Sequence, residues 1–187
     1  GKTKMLAEHA IQTSGVPYVI LRLSALYGPT FLHNYSTLFE KIFLGKQPII
    51  GDGYNRVTFL HANDASRAFL AAIKSEKLNQ AYIICSEEKL TQKLCLQIVA
   101  ESLGVNPPQK SVSVKTARFL AGLSVWKAKL SNSPPKITFE AIDSMSQDRY
   151  FASRKARARL KWKPLIKFQN GAKQMAAIWL RHYKALK

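Results

Sequence analysis

The sequence predicts an α/β fold, because short apolar strands alternate with amphipathic helices along most of the chain. The 187 residues are 47% hydrophobic and 10% aromatic, which is enough for one substantial core or for a core with a small lobe. Apolar stretches are interrupted every few residues, so none approaches the roughly 20 residues of a membrane-spanning helix. Cys85 and Cys95 are too few for a disulfide framework and form no zinc-binding pair. A reducing, cytoplasmic setting and no metal site are expected.

The first predicted elements are a helix and a buried strand. Lys4 lies in an amphipathic helical pattern, and Gly15 stands where a left-handed C-cap would end that helix. Residues 18–23 are β-branched, aromatic or aliphatic except Arg22, which predicts a buried strand of a parallel sheet. An unpaired buried charge is costly, so we expect Arg22 to have a structural partner.

Two helices and two strands are predicted next. Apolar residues spaced by three and four predict a helix over 35–44, and a short strand follows at 57–60. Asn63 or Asp64 is expected to cap the following helix. Residues 81–85 form another short apolar strand.

The second half of the chain is predicted to be mostly helical. Thr91 is expected to cap a helix that ends at Gly104, and Thr138 to cap a short helix. Ser153 is expected to cap the basic run 154–159. A helix over 115–130 has a predicted buried stripe of Phe119, Leu120, Leu123 and Trp126. A final helix towards the C-terminus has the clearest apolar face.

The charge of the chain is strongly uneven. Its net charge is +18, from 29 basic and 11 acidic residues. Residues 115–187 hold 17 of the basic and 3 of the acidic residues, and so account for +14. A field of that sign attracts phosphates, anionic lipids and acidic proteins.

Five segments, in order along the chain, resemble motifs of one enzyme family. Residues 1–4 are similar to the end of a Tyr-x-x-x-Lys signature, and 21–29 to an Arg-Pro-x-x-x-Tyr-Gly-Pro strand and loop. Segment 51–64 is similar to Gly-x-Gly followed by Phe-Val-His-Val-x-Asp, and 153–164 to Ser-Lys-Ala-Arg followed by Leu-Gly-Trp-x-Pro. Residues 171–179 fit the closing helix. Together they resemble the extended short-chain dehydrogenases/reductases, which include NAD-dependent epimerases/dehydratases and 3β-hydroxysteroid dehydrogenase-like enzymes.

The resemblance implies the C-terminal part of a Rossmann-type doubly wound sheet, with a small, mostly helical substrate-binding lobe. Residues of about 1–30 and 55–85 would complete the sheet, and about 31–54 and 86–187 would form the lobe. The nucleotide-binding half is expected ahead of Gly1, together with the signature tyrosine. We therefore expect the chain to be a fragment that is inactive by itself.

The same resemblance implies the cofactor site for NAD or NADP. Lys4 would be the signature lysine, one helical turn after the tyrosine, where its ammonium lowers the tyrosine pKa and bonds the nicotinamide ribose. Leu23 and Ser24 follow the strand at the place where the family's backbone meets the nicotinamide carboxamide, although Leu23 replaces the usual proline. The carboxyl ends of parallel strands are the common ligand-binding edge of such sheets.

Four residues just past this strand are implied by position to line the substrate cleft: Tyr27, Phe31, His33 and Asn34. The neighbouring His61 has no metal-spaced or catalytic partner in the sequence, so we expect it to order a loop. Asp64 is likewise expected to be structural.

One departure from the family narrows the substrate class. Nucleotide-sugar relatives have an arginine at the position of Val57, where it bonds the diphosphate, whereas here Arg56 lies one residue earlier. On an extended strand, a shift of one residue places the side chain on the opposite face. The resemblance therefore implies oxidoreduction of a hydroxyl or ketone on a small, sterol- or flavonol-like substrate. A nucleotide-sugar epimerase/dehydratase is the alternative.

The basic charge leaves a rival of a different class, a non-enzymatic module that binds nucleic acid or an anionic membrane. Six basic residues fall within 154–163. No aromatic pattern typical of RNA-binding motifs accompanies them, which disfavours nucleic acid. Peripheral contact with an anionic membrane would suit an apolar substrate and stays open, as does a homodimer.

Overall fold

The α/β class is confirmed in the computed structural model, which describes residues 1–131, 133–135 and 137–185. The helices are α1 Lys2–Thr13, α2 Leu32–Phe43, α3 Ala62–Ile73, α4 Gln92–Leu103, α5 Val114–Ser131, α6 Phe139–Ser146, α7 Arg154–Leu160 and α8 Phe168–Ala185, with a 3-10 turn at Pro29–Phe31. The strands are β1 Val19–Leu23, β2 Ala25–Tyr27, β3 Ile49–Ile50, β4 Arg56–Val57, β5 Phe59–His61, β6 Gln80–Ile84, β7 Leu90–Thr91 and β8 Ser111–Val112. No helix in the described ranges is long and apolar enough to cross a membrane.

The central strands pair in parallel. β1 pairs with β6 over five residues, so that Leu23 lies opposite Ile84, and β2 pairs with β5. Backbone hydrogen bonds continue this arrangement past the strand ends, because Ser24 N donates to Ile84 O and Ser86 N donates to Phe59 O. The carboxyl ends of β1 and β6 consequently lie at one edge of the structure. Two shorter pairs complete the strands: β3 with β8 in parallel, and β4 with β7 antiparallel.

Three groups of buried side chains form the core. The largest joins α2, α4 and α8, the second joins β1, β5, β6, α3 and α7, and the third joins β3, α5 and α6. The division into a sheet region and a substrate lobe stays a prediction. Cys85 and Cys95 are buried and reduced, and burial raises the pKa of their thiols to about 11 and about 12 respectively.

The helix caps show where local sequence signals are sufficient. The Oγ1 atoms of Thr91 and Thr138 accept hydrogen bonds from Leu94 N and Ala141 N, which confirms both predicted caps. Gly104 ends α4 in the left-handed conformation, as its position after the last apolar residue predicts.

The predicted cap of α3 is wrong. His61 is the N-cap, and its Nδ1 accepts the hydrogen bond of Asn63 N. Asp64 lies within the first turn, where its carboxylate accepts the backbone N–H groups of Leu165 and Ile166. Its side chain is 1% exposed and pairs with Arg67 at 3.0 Å. This acid therefore fixes a segment about 100 residues further along the chain.

Ser153 lies at the N-cap of α7, but its hydroxyl does not cap the helix. Both its Oγ and its backbone N donate to Glu87 Oε1, at 3.0 and 2.9 Å. Arg157 donates to the other oxygen of the same carboxylate, at 2.5 Å. The pKa of Glu87 is lowered by these bonds, although burial opposes the shift.

The expectation that β1 is a buried strand is wrong, because its four apolar residues are only half-buried and Arg22 is exposed. The guanidinium of this side chain makes a bidentate contact with Glu8 of α1, with the shortest distance 2.6 Å. The predicted structural partner therefore exists, on the face of the strand that α1 covers. The hydrogen bond to Arg22 is the main reason that the pKa of Glu8 is lowered.

The predicted buried stripe of α5 is also wrong. The buried residues of this helix are Ala117, Ala121 and Ala128. The residues expected inside are exposed: Phe119, Leu120, Leu123 and Trp126. Small side chains allow α5 to approach the protein closely, so the large apolar ones face outward.

Helix α8 approaches the β2–β5 pair at Gly171. A Cβ atom here would overlap the Tyr27 ring and would lie 2.9 Å from His61 Cδ2. The close contact explains a glycine in the first turns of a helix, where it otherwise costs stability.

We expect Gly171→Ala to lower the free energy of unfolding by about 2 kcal/mol, because the methyl group overpacks against two buried rings. Gly122→Ala in α5 is the matched control, since its Cβ would meet Phe139 Cζ at an ordinary 3.6 Å. This variant should gain about 0.5 kcal/mol from helix propensity. Urea unfolding followed by circular dichroism measures the free energy of unfolding of both variants. An equal change in the two variants would refute the close packing at Gly171.

Asp64→Ala is expected to destabilise the protein by about 3 kcal/mol, because it leaves two N–H groups of segment 165–166 without their acceptor and removes the carboxylate that pairs with Arg67. Asp64→Asn keeps the shape and one acceptor oxygen, so its loss should be smaller. The exposed pair of Arg56 and Asp148 provides the control, and Asp148→Asn should leave the unfolding midpoint nearly unchanged. A similar midpoint for Asp64→Ala and Asp148→Asn would contradict the assigned role.

Candidate functional site

The candidate site begins at the carboxyl ends of β1 and β6. Leu23 is half-buried at the last position of β1, and Ser24 follows it. The backbone N of Ser24 donates to Ile84 O, whereas its buried Oγ has no hydrogen-bond partner among the described residues. A buried hydroxyl without a partner is unusual in a folded protein. A cofactor role for Ser24 stays a prediction.

Lys4 lies on α1, and its place at this edge stays a prediction. Helix α1 and strand β1 are joined by a short loop. The contact between Glu8 and Arg22 fixes the register of helix against strand. Lys4 lies one helical turn, about 6 Å, before Glu8 on the same helix face. All of Lys2–Thr13 is described, and none of its side chains is buried.

Tyr27 and His61 lie opposite each other at the ends of β2 and β5. Both are 2% exposed, and their rings meet edge to face with centroids 5.2 Å apart. Burial lowers the pKa of His61, while Asp64 and the side chain of Gln174 oppose the shift. Nδ1 accepts a backbone hydrogen bond, so the neutral ring holds its proton on Nε2. This geometry fits the structural role predicted for His61.

The four predicted substrate residues do not come together. Tyr27 is in the core, lines a small apolar cavity of about 50 Å³, and has its pKa raised by burial and the nearby acids. Phe31 is half-buried at the end of the 3-10 turn, and Asn34 is exposed on α2. His33 lines a separate cavity of about 750 Å³ between α2 and α8. Substrate contact by these residues stays a prediction.

A cavity that sequence reasoning did not locate lies beside Tyr35. It measures about 250 Å³ and is mainly apolar. Its apolar lining includes Tyr35, Val57, Phe59 and Leu96, and its polar side chains are Gln47, Gln92 and Ser144. The amide groups of both glutamines donate to backbone carbonyls of the protein. The hydroxyl of Tyr35 donates to Leu26 O at 2.7 Å, and burial raises the pKa of this phenol to about 12. It therefore presents a neutral aromatic wall at neutral pH.

Val57 and Arg56 occupy opposite faces of β4, as strand alternation predicts. Val57 lines the apolar cavity. Arg56 is exposed, pairs with Asp148 at 3.2 Å, and lies over the Tyr150 ring with its Cζ 5.2 Å from the centroid. The guanidinium is thus engaged elsewhere and does not reach the cavity. The signal that could have located the cavity is the single valine where the family's sugar-binding members have arginine.

The described ranges contain no cluster of His, Cys, Asp or Glu side chains that could hold a metal ion.

A family model described as GDP-mannose 4,6 dehydratase matches residues 1–175. The chain is 23% identical over 185 residues to 2-alkyl-3-oxoalkanoate reductase of Stenotrophomonas maltophilia (strain K279a), covering 94% of this chain and 56% of the relative. It is 26% identical over 175 residues to 3beta-hydroxysteroid-dehydrogenase/decarboxylase isoform 1 of Arabidopsis thaliana, covering 86% and 40%. The chain thus spans about half the length of these relatives.

A solved structure with the same fold is UDP-glucuronic acid 4-epimerase from Bacillus cereus, in complex with NAD. The TM-score is 0.66 at 18% identity, covering 96% of this chain and 50% of the epimerase. The match over residues 1–175 and the parallel pairs β1–β6 and β2–β5 agree with the motifs described above. The chain therefore belongs to the GDP-mannose 4,6 dehydratase family, within the extended short-chain dehydrogenases/reductases.

Proposed function

We propose that the protein containing this chain is an NAD(P)-dependent oxidoreductase that acts on a hydroxyl or ketone of a small apolar molecule, such as a sterol- or flavonol-like compound. The observation that supports this proposal most directly is the apolar cavity lined by Val57. A diphosphate needs a cation or several donors when it is buried, and Arg56 is paired outside the cavity. An apolar ring system needs neither.

The residues at the sheet edge fit a nicotinamide dinucleotide. The Ser24 hydroxyl is buried and without a protein partner, and an amide group of the cofactor would satisfy it. Leu23 would contribute its backbone, and the Lys4 ammonium would bond the ribose. When bound, the cofactor exchanges a hydride with the substrate.

Lys4 would also act on proton transfer. If a tyrosine immediately precedes Gly1, as the resemblance implies, Lys4 lies one turn from it on the same helix face. The ammonium then favours the phenolate and lowers the tyrosine pKa towards neutrality, which a general acid/base requires. On this proposal the chain 1–187 alone does not catalyse the reaction.

Two relatives support the substrate class. Their names specify the reduction of a 2-alkyl-3-oxoalkanoate and the oxidation of a 3β-hydroxysteroid, so both act on a hydroxyl or ketone. The proposal extends this shared chemistry to the present chain. The epimerase alternative is decided by offering UDP-sugars beside steroid and flavonoid ketones to the full-length protein with NADH or NADPH.

Lys4→Met in the full-length protein is expected to lower kcat by about 100-fold or more, because the general acid/base loses its neighbouring charge. The cofactor Kd, measured by NAD(P)H fluorescence, should rise as well. Lys2→Met removes an equally exposed lysine from the same helix and should leave both constants within about twofold. Equal losses in the two variants would rule out the role of Lys4.

Val57→Arg is expected to lower kcat/KM for an apolar ketone by about tenfold or more, since the guanidinium would enter an apolar cavity. Arg56→Gln, on the opposite face of β4, is the control and should change kcat/KM little. Thermal melting checks that both variants fold. If wild type is active on UDP-sugars and inactive on every apolar ketone, the proposed substrate class is wrong.

A further inference from the structure

Helix α5 has an exposed apolar ridge. It consists of Phe119, Leu123, Trp126 and Leu130, which are 67%, 41%, 60% and 70% exposed. The spacing of four, three and four residues places all four side chains on one face of the helix. Single exposed apolar residues are common on proteins, whereas a continuous row of large ones marks an interaction surface.

The ridge lies opposite the face by which α5 is attached. Ala117, Ala121 and Ala128 are the buried residues, and they lie about half a turn from the ridge around the helix. Their small side chains let α5 pack against α6. The helix is therefore held by its alanine face, and the ridge is exposed on the other side. Leu123 lies at the edge of the ridge, where it lines an open cavity together with Pro134 and Ile137.

Lysines flank the ridge on both sides. At about 100° per residue, Lys127 and Lys129 lie roughly 80° to either side of Phe119, and Lys115 lies in the first turn near the ridge. All three are exposed, and α5 contains no acidic residue. Arg118 is engaged by Asp143 and Phe139, so it does not contribute to this rim.

We propose that α5 is an interfacial helix, which lies in the plane of an anionic membrane with its ridge in the boundary between headgroups and acyl chains. Phenylalanine, leucine and tryptophan on one face with lysines beside it are typical of such helices. Lysine stems extend along apolar surface while their ammonium groups reach the lipid phosphates. The excess of +14 over residues 115–187 adds long-range attraction to an anionic surface.

The positive charge around the ridge disfavours a second copy of the chain as its partner. Two such surfaces would bring together two lysine rims and two regions of +14. Like charges facing each other oppose association. An anionic lipid surface matches both the apolar row and its basic rim, and the inference does not depend on the proposed oxidoreductase activity.

Trp126 provides a direct probe. The other two tryptophans, Trp162 and Trp179, are 4% and 5% exposed, so quenchers in solution or lipid reach Trp126 first. With vesicles of phosphatidylcholine and phosphatidylserine, we expect a blue shift, protection from acrylamide and quenching by brominated lipid. Vesicles of phosphatidylcholine alone should give little binding.

Variants separate the ridge from its rim in the full-length protein. The double variant Phe119→Ser/Leu130→Ser should abolish co-sedimentation with anionic vesicles. The double variant Lys127→Gln/Lys129→Gln should lower the affinity for these vesicles about 30-fold, at roughly fivefold for each lysine. Matched controls on or just after α3 are the double variants Phe69→Ser/Ile73→Ser and Lys74→Gln/Lys77→Gln, which also alter exposed residues. These should retain wild-type binding, and all variants should keep the wild-type circular dichroism spectrum.

Four results would overturn the proposal. The first is binding that ignores phosphatidylserine, and the second is an equal loss in the α3 controls. The third is concentration-dependent self-association that Phe119→Ser/Leu130→Ser removes without any vesicle binding by wild type, which would identify a second copy as the occupant. The fourth is bound protein whose Trp126 emission stays unshifted, which would exclude insertion of the ridge.

Discussion

The buried carboxylate of Asp64 is the constraint on which the arrangement of the C-terminal segments depends. Its oxygens accept the N–H groups of Leu165 and Ile166, its backbone carbonyl accepts Trp162 Nε1, and Arg67 balances its charge. The chain leaving α7 is thereby attached to the start of α3. From that point α8 begins, and its first turns bring Gly171 against Tyr27 and His61. A charge on one helix thus determines how the last helix covers the strand ends.

Local signals in the sequence were sufficient wherever a structure depends on neighbouring residues. The caps at Thr91 and Thr138 can be predicted because a hydroxyl stands three residues before a backbone donor. The end of α4 at Gly104 can be predicted because the C-cap conformation needs a positive φ, which glycine adopts readily. The opposite faces of Arg56 and Val57 follow from strand alternation alone. The α/β class follows from the order of such elements, and the family motifs extend it to a Rossmann-type sheet.

Other features depend on residues far apart in the chain, and periodicity could not supply them. Asp64 resembles a helix cap until the N–H groups a hundred residues later are known. In α5, the helical period is compatible with burial of either face, and hydrophobicity alone favours burial of the face with the larger side chains. The alanines are buried because α6 approaches closely, which is tertiary information. For the same reason the apolar cavity at Val57, built from six elements, could not be found from spacing.

The two cysteines have a consequence for how the folded state can be observed. Cys85 follows β6 and Cys95 lies in α4, both are buried, and burial raises the pKa of both thiols. Only the thiolate reacts with alkylating reagents, so in the native protein both sulfurs are protected by enclosure and by protonation. Alkylation rates would then report local opening at two separate places, the sheet and the helical layer, without any engineered label.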